Sequence, residues 1–408
     1  MKQKINSAVT QVNNVGNIYV ILLVLFSIAT ALGSFNPFGG RDIDSYGNSS
    51  SPLTLVIQGI FILSLFFIKG YVRFLRTEYK FLCIFSFVWI LSSIFFEYSE
   101  ISFNLILNIV KLILCIVLFY HLPQLFIHSP RLLIWSIVSF SLTCSLIALA
   151  FSIGLLDSYV IWSNGRVFIF NENPNSTSTR MVFSCVIIVY LVFQNPLGWS
   201  KQRFLLLPLL FPLLFCIMAS GSRGSFIVLF SCLAMYIILA PTNRPFLKFM
   251  SIGISVIFIG CAIVKISKSE DFSMLERLSE SIDHNSDGGR TKLSSAALNI
   301  FMDNPIIGTG SVGFTKIMKE EYGLDRTVHN LYWYIAATSG IVGFLSFMAF
   351  ILCMLKRAWH VRRKDPLSIV LLFGMLLIAS KTGGALTYMT MWYMFSISMS
   401  LTKSLIIK

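Results

Sequence analysis

Long apolar runs separated by short polar segments make up most of this chain. Twelve runs approach the length of a membrane span and carry few charges, at approximately 18–34, 53–70, 80–96, 101–120, 131–153, 181–195, 204–219, 224–240, 246–264, 329–355, 366–380 and 384–402. About 20 apolar residues in a helix cross the hydrocarbon core of a bilayer, so each run predicts a membrane-spanning helix. The runs are continuous rather than alternating, which argues against a β-barrel. The pattern predicts an all-α polytopic membrane protein in which residues 1–408 form a single integral membrane domain.

Composition and charge support this class and add an orientation. Of the 408 residues, 56% are hydrophobic and 12% are charged, whereas about a quarter are charged in ordinary globular proteins. If the N-terminus is cytoplasmic and the runs alternate in direction, 18 of the 32 Lys and Arg residues lie inside, with only Glu78 and Asp365 among the acids. This excess is the one that the positive-inside rule describes. The net charge of +14 therefore sets a topology with both termini cytoplasmic and does not indicate a nucleic-acid partner.

Two of the outer loops are long. They span about 154–180 and about 265–328, the second between runs nine and ten. The second loop carries helical periodicity twice, and we expect two short amphipathic helices lying against the membrane. Their apolar faces comprise Phe272, Leu275, Leu278 and Ile282 in the first, and Leu293, Ala296, Ala297, Ile300 and Phe301 in the second. For the first helix, a loop packing around its own small core is an equal alternative.

The same loop contains "GTGSVG", in which Gly308, Gly310 and Gly313 have the GxGxxG spacing. A dinucleotide site requires this motif between a strand and a helix. Here it follows a helix on the outer side, so we interpret it as a glycine-rich turn that redirects the chain towards the membrane. The outer loops also lack cysteine and any HxxH spacing, and we therefore expect no metal site and no cofactor.

Among the five histidines, only His329 combines an outer location with the rigid, semi-buried start of an apolar helix. Tyr332, Trp333 and Tyr334 follow it, at the level expected of an interfacial aromatic belt. A histidine in such a place can take up a proton near neutral pH and act as a general base. The alternative is a belt histidine without a chemical role.

Two arginines stand at predicted helix starts on the outer side. Arg223 lies in the turn "SGSRGS" between runs seven and eight, and Arg290 opens the second amphipathic helix in "SDGGRTKLSS". A cation at the positive end of a helix is mildly unfavourable by itself and becomes favourable when the arginine and the helix end share an anion. The two positions therefore favour a phosphate or diphosphate ligand. The alternative for each is a lipid-headgroup anchor, and Arg223 is equally close to the C-terminal end of run seven.

Taken in order, these segments resemble a known family. "SGSRGSF", "GGR" before a helix, "NPIIGTG" and "HNLYWYIAATSGIVGF" are similar to the signature of the O-antigen ligase/polymerase family, and "NENPNSTSTR" is similar to a weaker family feature. The resemblance covers residues 160–400 approximately, and about twelve spans also fit the family. It implies a multi-span glycosyltransferase of GT-C-type architecture whose long periplasmic loop lies between spans nine and ten.

The resemblance also implies a reaction and its residues. Members transfer a glycan from an undecaprenyl-diphosphate carrier to a sugar hydroxyl at the periplasmic face of the inner membrane, without a metal or another cofactor. The proposed catalytic base falls on His329 and the diphosphate-binding arginines on Arg223 and Arg290. Many relatives carry a tryptophan where this chain has Ser294, which bears on the acceptor pocket. Arg166 and Arg180 are secondary candidates for substrate contacts.

Three functions remain open from the sequence. We favour a polymerase of lipid-linked O-antigen or exopolysaccharide repeat units, because the glycine-rich first outer loop "SFNPFGGRDIDSYGNSSSP" resembles those of exopolysaccharide polymerases. The close alternative is an O-antigen ligase, which moves the finished glycan onto lipid A–core. A polysaccharide transporter or flippase is disfavoured because ionisable groups concentrate at the outer face, with Lys111 as the exception inside a span. The expected partners are the lipid-linked glycan donor, a glycan or lipid A–core acceptor, membrane lipids and other polysaccharide-assembly proteins.

Overall fold

The structure is a computed structural model. The structure describes residues 56, 59–60, 76–96, 103–125, 130–155, 160–163, 166–169, 173–194, 198, 201–239, 290–324, 328–381, 386 and 388–404. In chain order the main elements are helices α1 (Arg76–Phe96), α2 (Phe103–Leu125) and α3 (Pro130–Ser152), strands β1 (Val160–Ser163) and β2 (Arg166–Ile169), helix α4 (Pro174–Gln194), a 3₁₀ segment (Lys201–Leu209), and helices α5 (Leu210–Ala219), α6 (Arg223–Leu239), α7 (Arg290–Asp303), α8 (Gly310–Glu320), α9 (Leu331–Val361), α10 (Leu367–Ala379) and α11 (Met389–Ser404).

The described chain is a predominantly helical multi-pass membrane protein. Within it, six helical segments are long and apolar enough to cross a bilayer: α1, α2, α3, α4, the 3₁₀ segment continued by α5, and α9. Helices α6 and α10 are also apolar but shorter. Nine of the twelve predicted runs coincide with described helices. The runs at 18–34, 53–70 and 246–264 fall wholly or almost wholly outside the described residues, as does the amphipathic helix predicted at 272–282.

The first of two compact units contains α3, the hairpin, α4, the 3₁₀ segment and α5, within Ser129–Ser222. Helix α4 lies at its centre and packs against α3, α5 and β2. Strands β1 and β2 pair antiparallel, with Val160 opposite Ile169 and Ser163 opposite Arg166. The segment 154–180, expected as a loop, therefore contains this hairpin and the first two turns of α4, which begins at Pro174 rather than at 181. Hydropathy misses these turns because Asn, Ser and Thr occupy them.

The second unit contains α1, α2 and α6–α11, within Tyr71–His128 and Arg223–Lys408. Helix α9 packs along α1, α2 packs on α11, and α10 lies against α6, α9 and α11. Helices α7 and α8 pack against α9, and α8 also packs on α1. At the end of α1 that the charge pattern assigns to the cytoplasm, Arg357 Nε donates to the Glu78 carboxylate at 2.8 Å. The pair ties α9 to α1 at that level.

Helix α9 is broken at Gly340. This residue has φ 62° and ψ −167° in the middle of an otherwise helical run, a combination that is essentially restricted to glycine. The predicted span 329–355 is therefore two helices in sequence. Residues 331–339 form a short first helix, and residues 341–361 continue as a second helix whose length of about 31 Å matches the hydrocarbon thickness.

The turn at residues 304–309 fills the break. The Ile341 N–H donates to the Pro305 carbonyl at 2.8 Å, and the Ala337 carbonyl accepts from the Thr309 N–H at 3.0 Å. These are backbone groups that an unbroken helix would have paired internally. Irregular backbone at membrane depth is tolerated where other groups satisfy it in this way. The turn that follows α7 is thus built into α9.

Helix α1 supports the same region through two serines. Ser92 Oγ donates to the Thr338 carbonyl at 2.9 Å, just before the break. Ser93 Oγ accepts from the Ser311 N–H at 3.2 Å, at the start of α8. The two hydroxyls fix α8 and the short first helix of α9 to one side of α1.

Candidate functional site

His329 lies directly before α9, and its side chain is exposed. Buried residues anchor the chain close to it on both sides: Val328, directly before it, is 0% exposed, and Leu331, two positions after it, is 1% exposed. Asn330 is the N-cap of α9, and its side-chain oxygen accepts from the N–H groups of Tyr332 at 2.9 Å and Trp333 at 3.3 Å. The backbone that carries the imidazole is therefore held between two buried side chains and a capped helix end. This is the rigid helix start that the sequence predicts, although the His329 side chain itself is exposed rather than semi-buried.

The aromatic residues after His329 have structural roles in addition to any interfacial one. The Tyr332 hydroxyl donates to the Leu376 carbonyl in α10 at 3.2 Å. The Tyr334 ring is buried and meets Phe314 of α8 edge-on, with 5.5 Å between ring centroids. The short first helix of α9 is therefore clamped between α8 and α10, which further restricts the position of His329.

Arg290 is the first residue of α7, and its side chain is exposed. The helix buries Leu293, Ala296, Ala297 and Ile300, four members of the apolar face predicted for the second amphipathic helix. This face is buried within the protein, where α7 packs on α9, and does not lie against the membrane surface as expected. Its C-terminal end leads into the 304–309 turn, so α7 is attached to the break in α9. With a rise of 1.5 Å per residue, Arg290 stands about 20 Å along the helix from that attachment.

Arg223 is the first residue of α6 and is half-buried. The turn before it belongs to the first unit and is tight: Gly221 has φ 62°, its N–H donates to the Met218 carbonyl at 2.9 Å, and the Ser222 N–H donates to Ser220 Oγ at 3.3 Å. Both arginines thus occupy the helix-start positions predicted for them. Their role in binding an anion stays a prediction.

Arg166 and Arg180 both lie in the first unit. Arg166 Nε donates to the Ser220 carbonyl at 2.7 Å and Nη2 donates to Asn175 Oδ1 at 2.8 Å. Arg166 therefore connects β2 to the end of α5 and to the start of α4. Arg180 is 2% exposed, and its guanidinium carbon lies 5.2 Å from the centroid of the Phe140 ring. Their geometry supports a structural role for both, and substrate contact stays a prediction.

The second unit contains all three principal candidates. Helix α7, which begins at Arg290, packs on α9, which begins just after His329, while α6, which begins at Arg223, packs on α10. Helix α10 in turn packs on α9. Each candidate stands at the N-terminal end of a helix of this unit, where free backbone N–H groups favour anions.

The GTGSVG segment is not a simple turn, because it starts α8, a helix that the sequence interpretation missed. Gly308 has φ 71°, and a Cβ there would lie 2.5 Å from the backbone N of Gly340. Gly310 and Gly313 face α1: a Cβ at Gly310 would overlap the Ser93 backbone, and one at Gly313 would lie a tight 3.0 Å from the Phe96 ring. The motif therefore serves close backbone packing. Among the described residues, no three His, Cys, Asp or Glu side chains converge in a way that could hold a metal ion.

Sequence reasoning also missed three residues that position the candidates. Asn330 carries an N-cap signal, since an asparagine directly precedes an apolar helical run. Gly340 is visible as the Ser-Gly pair inside such a run, although its break depends on the 304–309 turn. Ser92 had no signal, because its partner Thr338 is distant in the sequence.

Lys111 lies inside α2 and is half-buried. Ser294, where the resemblance leads us to expect a tryptophan, lies on α7 between the buried Leu293 and the exposed Ser295. Neither residue makes a described contact that assigns it a function.

Comparison with known proteins agrees with the resemblance. No curated protein matches the chain. Residues 208–348 match the family model described as O-antigen ligase, and this stretch includes Arg223, Arg290, the 304–309 turn, His329 and the Gly340 break. Residues 208–348 are therefore similar to the O-antigen ligase family, a family of glycan-transferring enzymes, and this match is consistent with the resemblance found in the sequence.

Proposed function

We propose that the protein transfers a glycan from an undecaprenyl-diphosphate carrier to a sugar hydroxyl at the periplasmic face of the bacterial inner membrane. The observation that carries this proposal is the family match over residues 208–348, which contains His329 and both arginines at helix starts. The full architecture that goes with it has about twelve spans of the GT-C type, with both termini cytoplasmic. The proposal includes no metal and no other cofactor.

The chemistry follows from the side chains. The acceptor hydroxyl oxygen attacks the anomeric carbon of the donor sugar, and the bond from that carbon to the diphosphate oxygen breaks. His329 takes the hydroxyl proton, while the diphosphate leaves with both electrons of the broken bond. Arg223 and Arg290 stabilise its charge, together with the helix ends on which they stand. Arginine suits this role because its planar fork matches phosphate oxygens.

His329 meets two requirements of such a base. It is exposed, so an acceptor sugar can reach it, and its backbone is fixed by the Asn330 cap and by buried neighbours. A positioned base contributes about 10²–10⁴-fold to a rate. Cationic donors at a developing anion contribute about 10²–10³-fold each.

Arginine variants test the binding site with a control two residues away. We expect Arg290→Ala to lower the rate of glycan transfer from the lipid-linked donor by about 10²-fold. Lys292→Ala removes an exposed cation from the same turn of α7 and should leave the rate close to that of the unchanged protein. Equal effects of the two substitutions would show that only the overall positive charge of this helix end matters.

Within this reaction class we propose polymerisation of O-antigen or exopolysaccharide repeat units, supported by the resemblance of the loop at 34–52 to exopolysaccharide polymerases. Ligation of the finished glycan to lipid A–core is the alternative, supported by the description of the matched family. Deletion of the gene followed by gel analysis of lipopolysaccharide separates them in a strain that makes O-antigen. A single repeat unit attached to core indicates a lost polymerase. Core without any repeat unit, with accumulated lipid-linked polymer, indicates a lost ligase.

A further inference from the structure

The second helix of α9 exposes one continuous apolar stripe. Ile341, Leu345, Leu352 and Trp359 recur at helical spacing on one face and are 40%, 58%, 59% and 50% exposed. A helix that is apolar and long enough to cross a bilayer exposes such a face to lipid. We therefore take this stripe as the lipid-facing side of α9.

A second group of exposed apolar side chains lies next to the top of the stripe, and it belongs to the outer loop. Met302 and Ile306 are each 66% exposed, and Leu298 and Ile307 are 38% and 39% exposed. Leu298 and Met302 are one turn apart on α7, and Ile306 follows in the 304–309 turn. We call these four residues the loop patch.

Hydrogen bonds fix the loop patch at the level of the stripe. The Ile306 carbonyl accepts from the Val342 N–H at 3.4 Å, and the neighbouring Pro305 carbonyl accepts from the Ile341 N–H at 2.8 Å. Val342 is itself 41% exposed. Ile306 therefore lies beside the first turn of the lipid-facing helix, and the two apolar surfaces are continuous.

The positions of residues along α9 give the depth of the 304–309 turn in the bilayer. The basic residues begin at Lys356 and Arg357, and Arg357 pairs with Glu78, which marks the cytoplasmic boundary. A hydrocarbon core about 30 Å thick takes up about 20 residues of helix. Counted back from Arg357, the outer boundary falls near position 337. The Gly340 break and the 304–309 turn then lie about 5 Å inside the hydrocarbon, a depth typical of interfacial segments.

The charge distribution along α7 agrees with this depth. Its first turn carries the exposed cations Arg290 and Lys292, and Asp303 is the exposed acid near its other end, beside the loop patch. The cationic start can remain at headgroup level while Met302 and the 304–309 turn extend below it. Asp303 limits how deeply this end of the helix can enter the bilayer, because an isolated carboxylate is costly in hydrocarbon.

We propose that the loop patch is a re-entrant membrane anchor: Leu298, Met302, Ile306 and Ile307 insert among the acyl chains of the outer leaflet. The partner is the lipid surface itself, because the patch is continuous with the lipid-facing stripe of α9. The anchor would hold α7, and with it Arg290, at the height of a lipid headgroup. The inference concerns membrane contact and does not depend on the transfer reaction.

Depth-dependent fluorescence quenching tests the proposal without altering the native cysteines. A fluorescent noncanonical amino acid is placed at Ile306, at Met302, at Leu345 as the lipid reference and at Lys319 on α8 as the aqueous reference. Each full-length variant is reconstituted into phosphatidylcholine vesicles. Quenching is then measured either with doxyl-labelled acyl chains in the bilayer or with iodide in the buffer. We expect doxyl quenching at 306 and 302 to approach that at 345 and to exceed that at 319 by about threefold or more. Iodide quenching should follow the opposite order.

Two results would overturn the proposal. If iodide quenches positions 306 and 302 as strongly as 319, the loop patch faces water. If neither quencher reaches them, protein covers the patch, as a second copy of the chain could do. The two patch positions are measured in parallel, and size-exclusion profiles identify any labelled variant that does not fold.

Discussion

Replacement of Gly340 by alanine tests the break in α9. The native φ of 62° with ψ −167° strains any residue with a Cβ, at a cost of about 1–3 kcal/mol. The new Cβ would also overlap the Ile306 carbonyl, and it would lie 2.6 Å from the Ile307 N. If α9 instead straightens, the Ile341 N–H pairs with the Ala337 carbonyl, and their present partners in the turn are left without them. The buried Thr309 N–H then costs about 1–3 kcal/mol, and the lost bond to the Pro305 carbonyl costs about 1 kcal/mol. Either response lowers the free energy of unfolding by about 2–4 kcal/mol.

Two other glycines separate the sources of this cost. Gly323 also has a positive φ, of 63°, but a Cβ there meets nothing within 4 Å, so Gly323→Ala should cost about 1–2 kcal/mol from backbone strain alone. Gly224 lies in α6 with open space around it, and Gly224→Ala should be neutral or stabilising by about 0.5–1 kcal/mol.

The assay is unfolding by SDS in mixed micelles, followed by tryptophan fluorescence. The expected order of the free energy of unfolding is Gly224→Ala highest, Gly323→Ala intermediate and Gly340→Ala lowest. A Gly340→Ala protein as stable as Gly224→Ala would refute the break. A value equal to that of Gly323→Ala would show that the packed 304–309 turn contributes nothing beyond backbone strain.

Three further substitutions, each compared with a matched second variant, test the contacts that position the candidate site. Arg166→Met should lower the free energy of unfolding by about 1.5–3 kcal/mol, because the Ser220 carbonyl loses a charged donor; Arg166→Lys should recover only part of this in the same SDS titration, and full recovery would show that the two-donor geometry is unimportant. Asn330→Ala should lower the free energy of unfolding by about 1 kcal/mol through loss of the N-cap, and it should also lower the rate of glycan transfer. Asn330→Ser should restore both the stability and the rate. An unchanged transfer rate in Asn330→Ala would mean that the cap does not position His329. Ser92→Ala should lower the free energy of unfolding by about 1 kcal/mol in the same titration. Ser346→Ala removes only an exposed hydrogen bond within its own helix and should change the stability little. Equal values for the two variants would contradict the view that Ser92 of α1 stabilises the first helix of α9.

The membrane helices were predictable because apolar length is a local property of the chain. The 3.6-residue period likewise located the buried face of α7, and Arg223 and Arg290 stand at helix starts as expected. In these cases the information lies within one helix or at its end.

The parts that were missed depend on contacts between segments far apart in the chain. Hydropathy shows residues 329–355 as one run, and only the 304–309 turn reveals the break at Gly340. The glycines of GTGSVG are locally typical of a turn. In the structure this segment leads into α8, and glycine is needed there because the backbone lies close to α1 and α9. The partner of Arg166 at Ser220 is likewise a tertiary contact, so the sequence shows the charge and not its role.

The catalytic role of His329 is the central claim, and one rate measurement tests it most directly. Purified protein in liposomes is given an undecaprenyl-diphosphate-linked repeat unit, and glycan transfer is followed for the unchanged protein, for His329→Ala and for His360→Ala, an exposed histidine at the other end of α9. Loss of a positioned base predicts a rate about 10²–10⁴-fold lower for His329→Ala, with His360→Ala unchanged. A His329→Ala protein that folds normally and transfers glycan within about twofold of the unchanged rate would contradict the account, because removal of a general base cannot cost so little.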